Sequence, residues 1–353
     1  MTDNIKILID KQDAEMEDEQ PHTISKQLFN LYTQNEDMEM DQDMEMEEIK
    51  KPLDQKFGYE PHMTDQDKLD YFHNVLEKNA QENLIEEDKK TSDDPLECSE
   101  YVTEIFSYLK KTELDFIAQP GYMKKQTDIN EKMRAILIDW LVEVHLKFKL
   151  YPETLYLTVN LIDRYLEKEE VLRQHLQLVG VTAMLIASKY EEIYAPEVRD
   201  FVYITDKAYT KDEILTMEYK ILTTLNFNIT TPSSFRFLER IFKLCQHADE
   251  RVFNLSRYLN ELSLVEYRML KHHPSMLASA ALFLSMKILK KEHSQWTDKL
   301  RVATQFSEQQ IRQCAKDLCI LLQNIEKCSL KAVKKKFSLS KFCEVSKIKL
   351  KTS

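Results

Sequence analysis

The segment VGVTAMLIASK, residues 179–189, aligns at an offset of 98 residues with MLASAALFLSMK, residues 276–287. Both segments consist almost entirely of apolar and small residues. A second pair, YTKDEILTMEYKILTTL at residues 209–225 and FSEQQIRQCAKDLCILL at residues 306–322, preserves one apolar helix face at an offset of 97. A repeat that conserves apolar spacing rather than identity predicts two copies of one helical module.

The glycine content limits the possible fold classes. The chain of 353 residues contains three glycines and nine prolines, and 43% of its residues are hydrophobic. The three glycines stand alone, so the glycine-rich loops that bind nucleotide phosphates cannot be built. A many-stranded barrel or sandwich also needs more turn residues than this chain has. The composition therefore favours a helical protein with a sizeable core.

Helix start signals recur along the chain. Asn130 and Pro152 each precede or open an apolar periodic stretch, and Thr210 with Glu213 has the spacing of a capping box. Further starts are indicated at Pro232, at Pro274 and at the Ser307 to Gln310 pair. We predict an all-α fold with two tandem five-helix domains, at residues 130–230 and 231–330.

Charge is distributed unevenly between the ends of the chain. Residues 1–97 contain 28 acidic residues against ten lysines and no arginine. High net charge with little apolar residue to bury predicts a disordered acidic tail over residues 1–97. The end at residues 331–353 is rich in lysine, which predicts either an exposed solubilising tail or a patch for nucleic acid or nuclear import.

The sequence contains no motif for catalysis, metal binding or cofactor binding. The six cysteines lack a CxxC pair, the histidines lack HExxH spacing and no serine lies in a GxSxG turn. We therefore expect no enzyme activity, no metal and no cofactor. The longest apolar stretch, residues 276–286, is too short to cross a bilayer, and reduced cysteines fit a soluble intracellular protein.

Two charged residues fall within apolar stripes. Glu218 lies among Ile214, Ile221 and Leu225 on a helical wheel, and Lys189 extends the apolar line of residues 178–189. A buried unpaired charge costs several kcal/mol, so each residue needs a partner. The partner is either supplied within the fold, including by a mutual Lys189–Glu218 bridge, or by another protein.

The helix MRAILIDWLVEVH, residues 133–145, is apolar around most of its circumference. Its second apolar face either lies at the centre of a module or remains exposed for binding. Arg134 lies beside that face and must be paired. Asp163 is a plausible internal partner, and we predict a structural ion pair between them.

The same helix resembles the corresponding segment of cyclins. GYMKKQTDI, LQLVGVTAMLIASKYEEIYAPEV and FVYITDKAYTKDEILTMEYKIL are also similar to mitotic cyclins of the A and B types. The likeness runs from about residue 98 to about residue 342. Five positions resemble the cyclin box invariants, namely Arg134, Asp163, Leu178, Lys189 and Glu218.

The resemblance implies a regulatory subunit that binds and activates a cyclin-dependent protein kinase as a heterodimer, in the nucleus and cytoplasm. It implies that Lys189 and Glu218 contact the kinase. Other positions that match kinase-facing ones are Ile186, Tyr190, Glu191, Glu192, Leu222 and Ile229. Residues 98–129 would supply a docking helix and linker, with Tyr101, Ile105 and Tyr108 facing the kinase.

The resemblance also implies a hydrophobic patch that recruits substrates and inhibitors bearing Arg or Lys, then any residue, then Leu. The matching positions are Met133, Ile136, Leu137, Trp140, Glu143 and Gln177. The apolar groove would take the Leu, and Glu143 would take the cation. A different class of function for the same fold is a scaffold that binds transcription factors or DNA, but the net acidic charge makes phosphate contacts few.

Overall fold

The protein is described by a computed structural model that covers residues 88, 98–99, 101–245, 249–289 and 295–348. These residues form helices and turns and contain no strand, which confirms the predicted all-α class. The predicted acidic tail at residues 1–97 lies outside the described part, apart from Asp88.

The first module follows a separate helix, α1 (Val102–Thr112). Two 3₁₀ turns, Glu113–Phe116 and Tyr122–Lys125, lead from α1 into the module. Five described helices then form the module: α2 (Glu131–Phe148), α3 (Pro152–Lys168), α4 (Arg173–Glu191), α5 (Val198–Ile204) and α6 (Lys211–Thr224).

The second module repeats this order. Its five described helices are α7 (Ser234–Lys243), α8 (Glu250–Val265), α9 (Pro274–Ile288), α10 (Asp298–Thr304) and α11 (Glu308–Asn324). Helix α9 corresponds to α4 and α11 corresponds to α6, as the repeat predicts. The prediction of two tandem five-helix domains is thus confirmed over the described residues.

Side-chain caps start several of these helices where the sequence indicates. The Asn130 side chain accepts a hydrogen bond from the Met133 amide at the start of α2. Thr210 with Glu213 forms a reciprocal capping box at α6, and Ser307 with Gln310 forms another at α11. Because each box satisfies amides that a helix start leaves unpaired, the boundaries are encoded locally.

Helix α4 forms the centre of the first module and packs closely against α2. A Cβ atom added at Gly180 would lie 2.7 Å from Leu137 Cδ1, so a larger residue there would have to displace the Leu137 side chain. Ala183 and Ala187 are fully buried on the same helix. The small residues therefore let α4 occupy the module core, where α3 and α6 also pack against it.

Helix α2 is buried on both of its apolar faces. Leu137 and Val144 lie in the core of the first module, while Val142 joins a second core with residues of α8 and of the segment 332–345. Of the two alternatives left by the sequence, central burial holds for the second face, because Ile138, Leu141 and Val142 are fully buried. Ile136 lies beside the first face and is 49% exposed.

Arg134 and Asp163 form the predicted ion pair inside the protein. Arg134 Nε lies 2.6 Å from Asp163 Oδ1, and Nη2 lies 2.7 Å from Oδ2. Arg134 Nη1 also donates to the Leu264 carbonyl at 3.0 Å, and the Tyr122 hydroxyl donates to Asp163. The pair therefore joins α2 and α3 of the first module to the end of α8 in the second.

The lysine-rich end is folded rather than a tail. Residues 332–336 form a short helix, α12, and two 3₁₀ turns follow at Ser340–Phe342 and Val345–Lys347. Phe337 and Val345 are buried against α8. The expectation of an exposed tail over residues 331–353 is wrong for the described residues up to 348, because apolar residues alternate with the lysines and complete the second core.

Replacing either partner of the buried Arg134–Asp163 pair leaves the other charge unpaired. We expect Arg134→Ala and Asp163→Ala each to lower the free energy of unfolding by about 3 to 5 kcal/mol in urea titrations. Arg173→Ala is the control, because its pair with Asp128 is exposed to solvent and should contribute little to stability. A loss below about 1 kcal/mol for both core variants would contradict this role.

Burial, with the charges of Lys336 and Arg257 nearby, lowers the pKa of His145 from 6.5 to about 3. Between pH 6.5 and about pH 3, His145 is therefore protonated in the unfolded chain but neutral in the folded chain. This removes up to about 1.4 kcal/mol of stability for each pH unit of acidification between those values. In urea titrations between pH 7 and pH 5, we expect the wild type to lose about 2 kcal/mol more than His145→Gln.

The exposed His175 provides the matched control for this titration. His175→Gln should keep most of the acid sensitivity of the wild type. Equal acid sensitivity of His145→Gln and the wild type would refute the assignment.

Candidate functional site

Lys189 and Glu218, the two charged residues that lie within apolar stripes, contact each other at the surface of the first module. Lys189, in the last turn of α4, places Nζ 2.7 Å from Glu218 Oε1 and 2.9 Å from Oε2 on α6. The Lys189 side chain is 47% exposed and that of Glu218 is 14% exposed. The mutual bridge that the sequence allowed is therefore present in the free chain, in a position that a partner can reach.

Exposed apolar and aromatic side chains flank the bridge in sequence. Tyr190 is 48% exposed and Tyr219 is 68% exposed, and further exposed residues of this kind are Ile193, Tyr194 and Phe227. Only Tyr190 was singled out by sequence. A helical wheel identifies the apolar residues that a core buries, and it gives no signal for exposed aromatic residues. The YEEIY run beside Lys189 does indicate such residues, because it places two tyrosines close to two glutamates. A concentration of exposed aromatic residues is typical of a protein-binding surface.

Three of the predicted kinase-facing residues have internal contacts. Ile186 is only 3% exposed and belongs to the core of the first module, so the expectation that it faces a partner is wrong. Leu222 and Ile229 are partly buried against the same core. They contribute only their outer edges to the surface.

The Glu192 carboxylate has a structural role of its own. Its Oε1 accepts a hydrogen bond from the Tyr151 amide at 2.7 Å and another from the Thr154 hydroxyl, at the start of α3. Glu192 therefore fixes the end of α4 against the start of α3. This contact orients the neighbouring Lys189 and Tyr190.

An acidic cluster borders the end of α4. Burial raises the pKa of Glu191, and the carboxylates of Glu153 and Glu192 raise it further, against the opposing charge of Arg236. Burial and Glu153 also raise the pKa of Glu239 on α7, whose Oε2 lies 3.3 Å from Arg236 Nη1. Arg236 and, at Glu239, Arg257 are the cations that oppose these four carboxylates, so acidic groups outnumber basic ones in the cluster.

Helix α1 presents a separate row of aromatic residues. Tyr101 is 63% exposed and Tyr108 is 59% exposed, while Ile105 between them is partly buried. The opposite face is attached to the second module, since the Phe106 ring lies 6.2 Å from that of Phe237 and Lys110 donates to Ser275 on α9. The helix is thus held with its tyrosines outward.

Contacts with α3 and α7 connect α1 to the Lys189–Glu218 bridge. The Arg236 guanidinium, beside Glu191, lies 5.8 Å from the ring of Phe106 on α1. After α1, the Phe116 carbonyl accepts from Asn160 of α3, and Arg164, one turn along α3, donates to the Asn228 carbonyl. Helix α1, the end of α4 and the α6 region with its following loop therefore form one surface, called here the bridge surface.

The second predicted site lies on α2. Ile136 is half exposed, Met133 and Trp140 are partly buried beside it, and Gln177 of α4 is also partly exposed. Leu137 is 6% exposed and rests on Gly180, so it forms the floor rather than the rim. The structure therefore brings these side chains together as a shallow apolar surface, called here the α2 patch.

The acidic end of the α2 patch has a contact that sequence reasoning did not find. Lys335 Nζ of α12 lies 3.3 Å from Glu143 Oε1, and both side chains are exposed. The partners are 192 residues apart in the chain. Nothing in local spacing could indicate this contact.

Within the described ranges, no group of three or more His, Cys, Asp or Glu side chains could hold a metal ion. The buried Cys314 and Cys319 have raised pKa values through burial, about 11 for Cys319, so both thiols stay protonated. Nor is any helix in the described ranges both long and apolar enough to cross a membrane.

Two family models match the chain over adjoining ranges. The model described as "Cyclin, N-terminal domain" matches residues 104–230, and "Cyclin, C-terminal domain" matches residues 231–351. The first range includes most of α1, the end of α4 and α6, and the second includes α12. Together they cover most of the chain.

Curated proteins with similar sequences include Cyclin-B2-1 of Oryza sativa subsp. japonica, 46% identical over 74% of this chain and 62% of the rice protein. The G2/mitotic-specific cyclin-B of Marthasterias glacialis is 42% identical over 86% of this chain and 77% of the relative. The chain thus spans about three fifths of the rice protein. A viral cyclin from herpesvirus saimiri has a similar fold, with a TM-score of 0.54 and 19% identity over 61% of this chain and 97% of the viral one.

Proposed function

The chain belongs to the cyclin family, and we propose that it is a regulatory subunit that binds and activates a cyclin-dependent protein kinase during mitosis. The observation that carries the proposal is the exposed Lys189–Glu218 bridge, surrounded by solvent-facing aromatic residues. The B-type names of its relatives support a mitotic role. Its location in the nucleus and cytoplasm stays a prediction.

In this proposal the chain supplies binding energy and the kinase supplies the chemistry. The bridge surface would hold the mobile kinase helix that carries a catalytic glutamate, so that this glutamate pairs with the lysine at the ATP phosphates. Raising the active fraction of a kinase from about 1% to 99% requires about 5.5 kcal/mol of preferential binding. A difference of this size is typical of a large interface.

The bridge suits this task because it is formed before binding. Lys189 carries three N–H donors, and its two hydrogen bonds to Glu218 leave at least one donor for a partner carbonyl group. A side chain that is already held in place loses less conformational entropy when a complex forms. Two charges that neutralise each other also cost less to desolvate than either charge alone.

The remainder of the bridge surface supports a protein partner with a basic face. Exposed tyrosines such as Tyr190 and Tyr219 are the residue type that most often anchors interfaces. The acidic cluster of Glu153, Glu191 and Glu239 would steer positively charged groups toward them. Binding should therefore weaken as salt screens this attraction.

We further propose that the α2 patch recruits substrates and inhibitors that carry Arg or Lys, any residue, then Leu. The half-exposed Ile136 and the partly buried Trp140 give an apolar surface for the leucine. Glu143 supplies a carboxylate for the cation two turns after Ile136 on the same helix. The patch and the bridge surface use different residues, so one chain could hold kinase and substrate together.

Removing either side chain of the Lys189–Glu218 bridge should weaken kinase binding much more than it destabilises the free chain. We expect Lys189→Ala and Glu218→Ala each to weaken the affinity for the kinase by about 2 to 5 kcal/mol, because the remaining charge would be desolvated without its partner. The stability of the free chain should change less than the affinity does, because Lys189 is half exposed and solvent screens its charge. Calorimetric titration of a purified cyclin-dependent kinase measures the first quantity and urea unfolding the second.

Arg173→Ala is the control variant, since it also removes an exposed ion pair. It should bind the kinase like the wild type. Wild-type affinity in both bridge variants would remove the kinase interface from this surface.

The α2 patch is tested by Ile136→Ala in the kinase complex. We expect KM to rise at least about fivefold for a substrate with the motif, equivalent to about 1 kcal/mol of lost contact, and to stay constant for a peptide without it. Ile320→Ala is matched, because Ile320 is equally exposed but lies on α11. Equal effects of the two variants on the motif substrate would argue against docking at this patch.

A further inference from the structure

We propose that Lys335 acts as an internal occupant of the cation position in the α2 patch. The patch of this chain would then select a docking peptide mainly by its apolar residues and gain little from its basic residue. This inference rests on the proposed function of the patch and names the substrate class that the patch prefers.

Two contacts hold α12 along the acidic side of α2. The Ala332 amide donates to Asp139 Oδ1 at 3.0 Å, and Lys335 Nζ donates to Glu143 Oε1 at 3.3 Å. Asp139 and Glu143 lie one turn apart on α2, and their partners lie about one turn apart on α12. The register of the two helices therefore brings Lys335 to Glu143.

Buried contacts hold the backbone of α12 in place. Val333 and Phe337 are buried in the core shared with α8, and Lys336 Nζ lies 2.7 Å from the buried Glu261 Oε1. Lys334 pairs with Glu326, and this pair does not involve Glu143. Of the three consecutive lysines of α12, only Lys335 contacts Glu143 among the described residues.

The Lys335 side chain itself is 71% exposed, so it can rotate while its charge stays near Glu143. A motif cation that approaches Glu143 must therefore share one carboxylate with a resident cation. Two like charges about 4 Å apart still repel in water, and the exposed attraction that the motif gains is small. We expect this competition to reduce the benefit of the motif cation by about twofold to fivefold.

The experiment compares two fluorescent peptides that differ only in the basic residue of the motif, arginine in one and alanine in the other. Their dissociation constants are measured by anisotropy on the wild-type kinase complex and on Lys335→Gln. The arginine peptide should bind Lys335→Gln about twofold to fivefold more tightly than the wild type. Binding of the alanine peptide should not change.

Lys334→Gln is the matched control, since it removes the same charge from the adjacent position of α12, where the pair is with Glu326. It should leave the preference for arginine over alanine unchanged. If Lys335→Gln leaves the preference for the arginine peptide unchanged while Ile136→Ala still weakens the binding of both peptides, the role of Lys335 is refuted and the docking function of the patch is not. If Ile136→Ala weakens neither peptide, the docking function of the patch fails, and the inference fails with it.

Discussion

The buried pair of Arg134 and Asp163 is the contact on which the rest of the structure depends. It uses two parallel hydrogen bonds between α2 and α3, and a third donor of Arg134 reaches the Leu264 carbonyl at the end of α8. Breaking the pair would leave a buried charge without its counter-charge, so both helices must keep their register. One interaction thereby fixes the first module and its junction with the second.

The two proposed binding surfaces follow from the position of α2. One face of this helix meets Gly180 and supports α4, whose last turn carries Lys189 toward Glu218. Another face remains partly open as the α2 patch, and its acidic edge is covered by α12. Kinase binding and substrate recruitment are thus proposed for one rigid frame, without a requirement for a hinge between them.

Local sequence signals predicted the parts of the structure that depend on local physics. Capping boxes, apolar periodicity and the repeat indicated two five-helix modules, and an arginine in an apolar stripe indicated a pair with Asp163. The sequence did not reveal that Ile186 is buried or that Lys335 meets Glu143, because both depend on packing between distant elements. The prediction of an exposed tail over residues 331–353 was wrong for the same reason, since the apolar residues among its lysines are buried by packing against α8.

Amide hydrogen exchange of the full chain, with and without a saturating cyclin-dependent kinase, tests the proposed kinase interface most directly. The account predicts that the kinase slows exchange in α1, at the end of α4 and in α6 with its following loop. Exchange in α11, which is the counterpart of α6 in the second module, should not change. Protection confined to the second module, with α4 and α6 unaffected, would contradict the account.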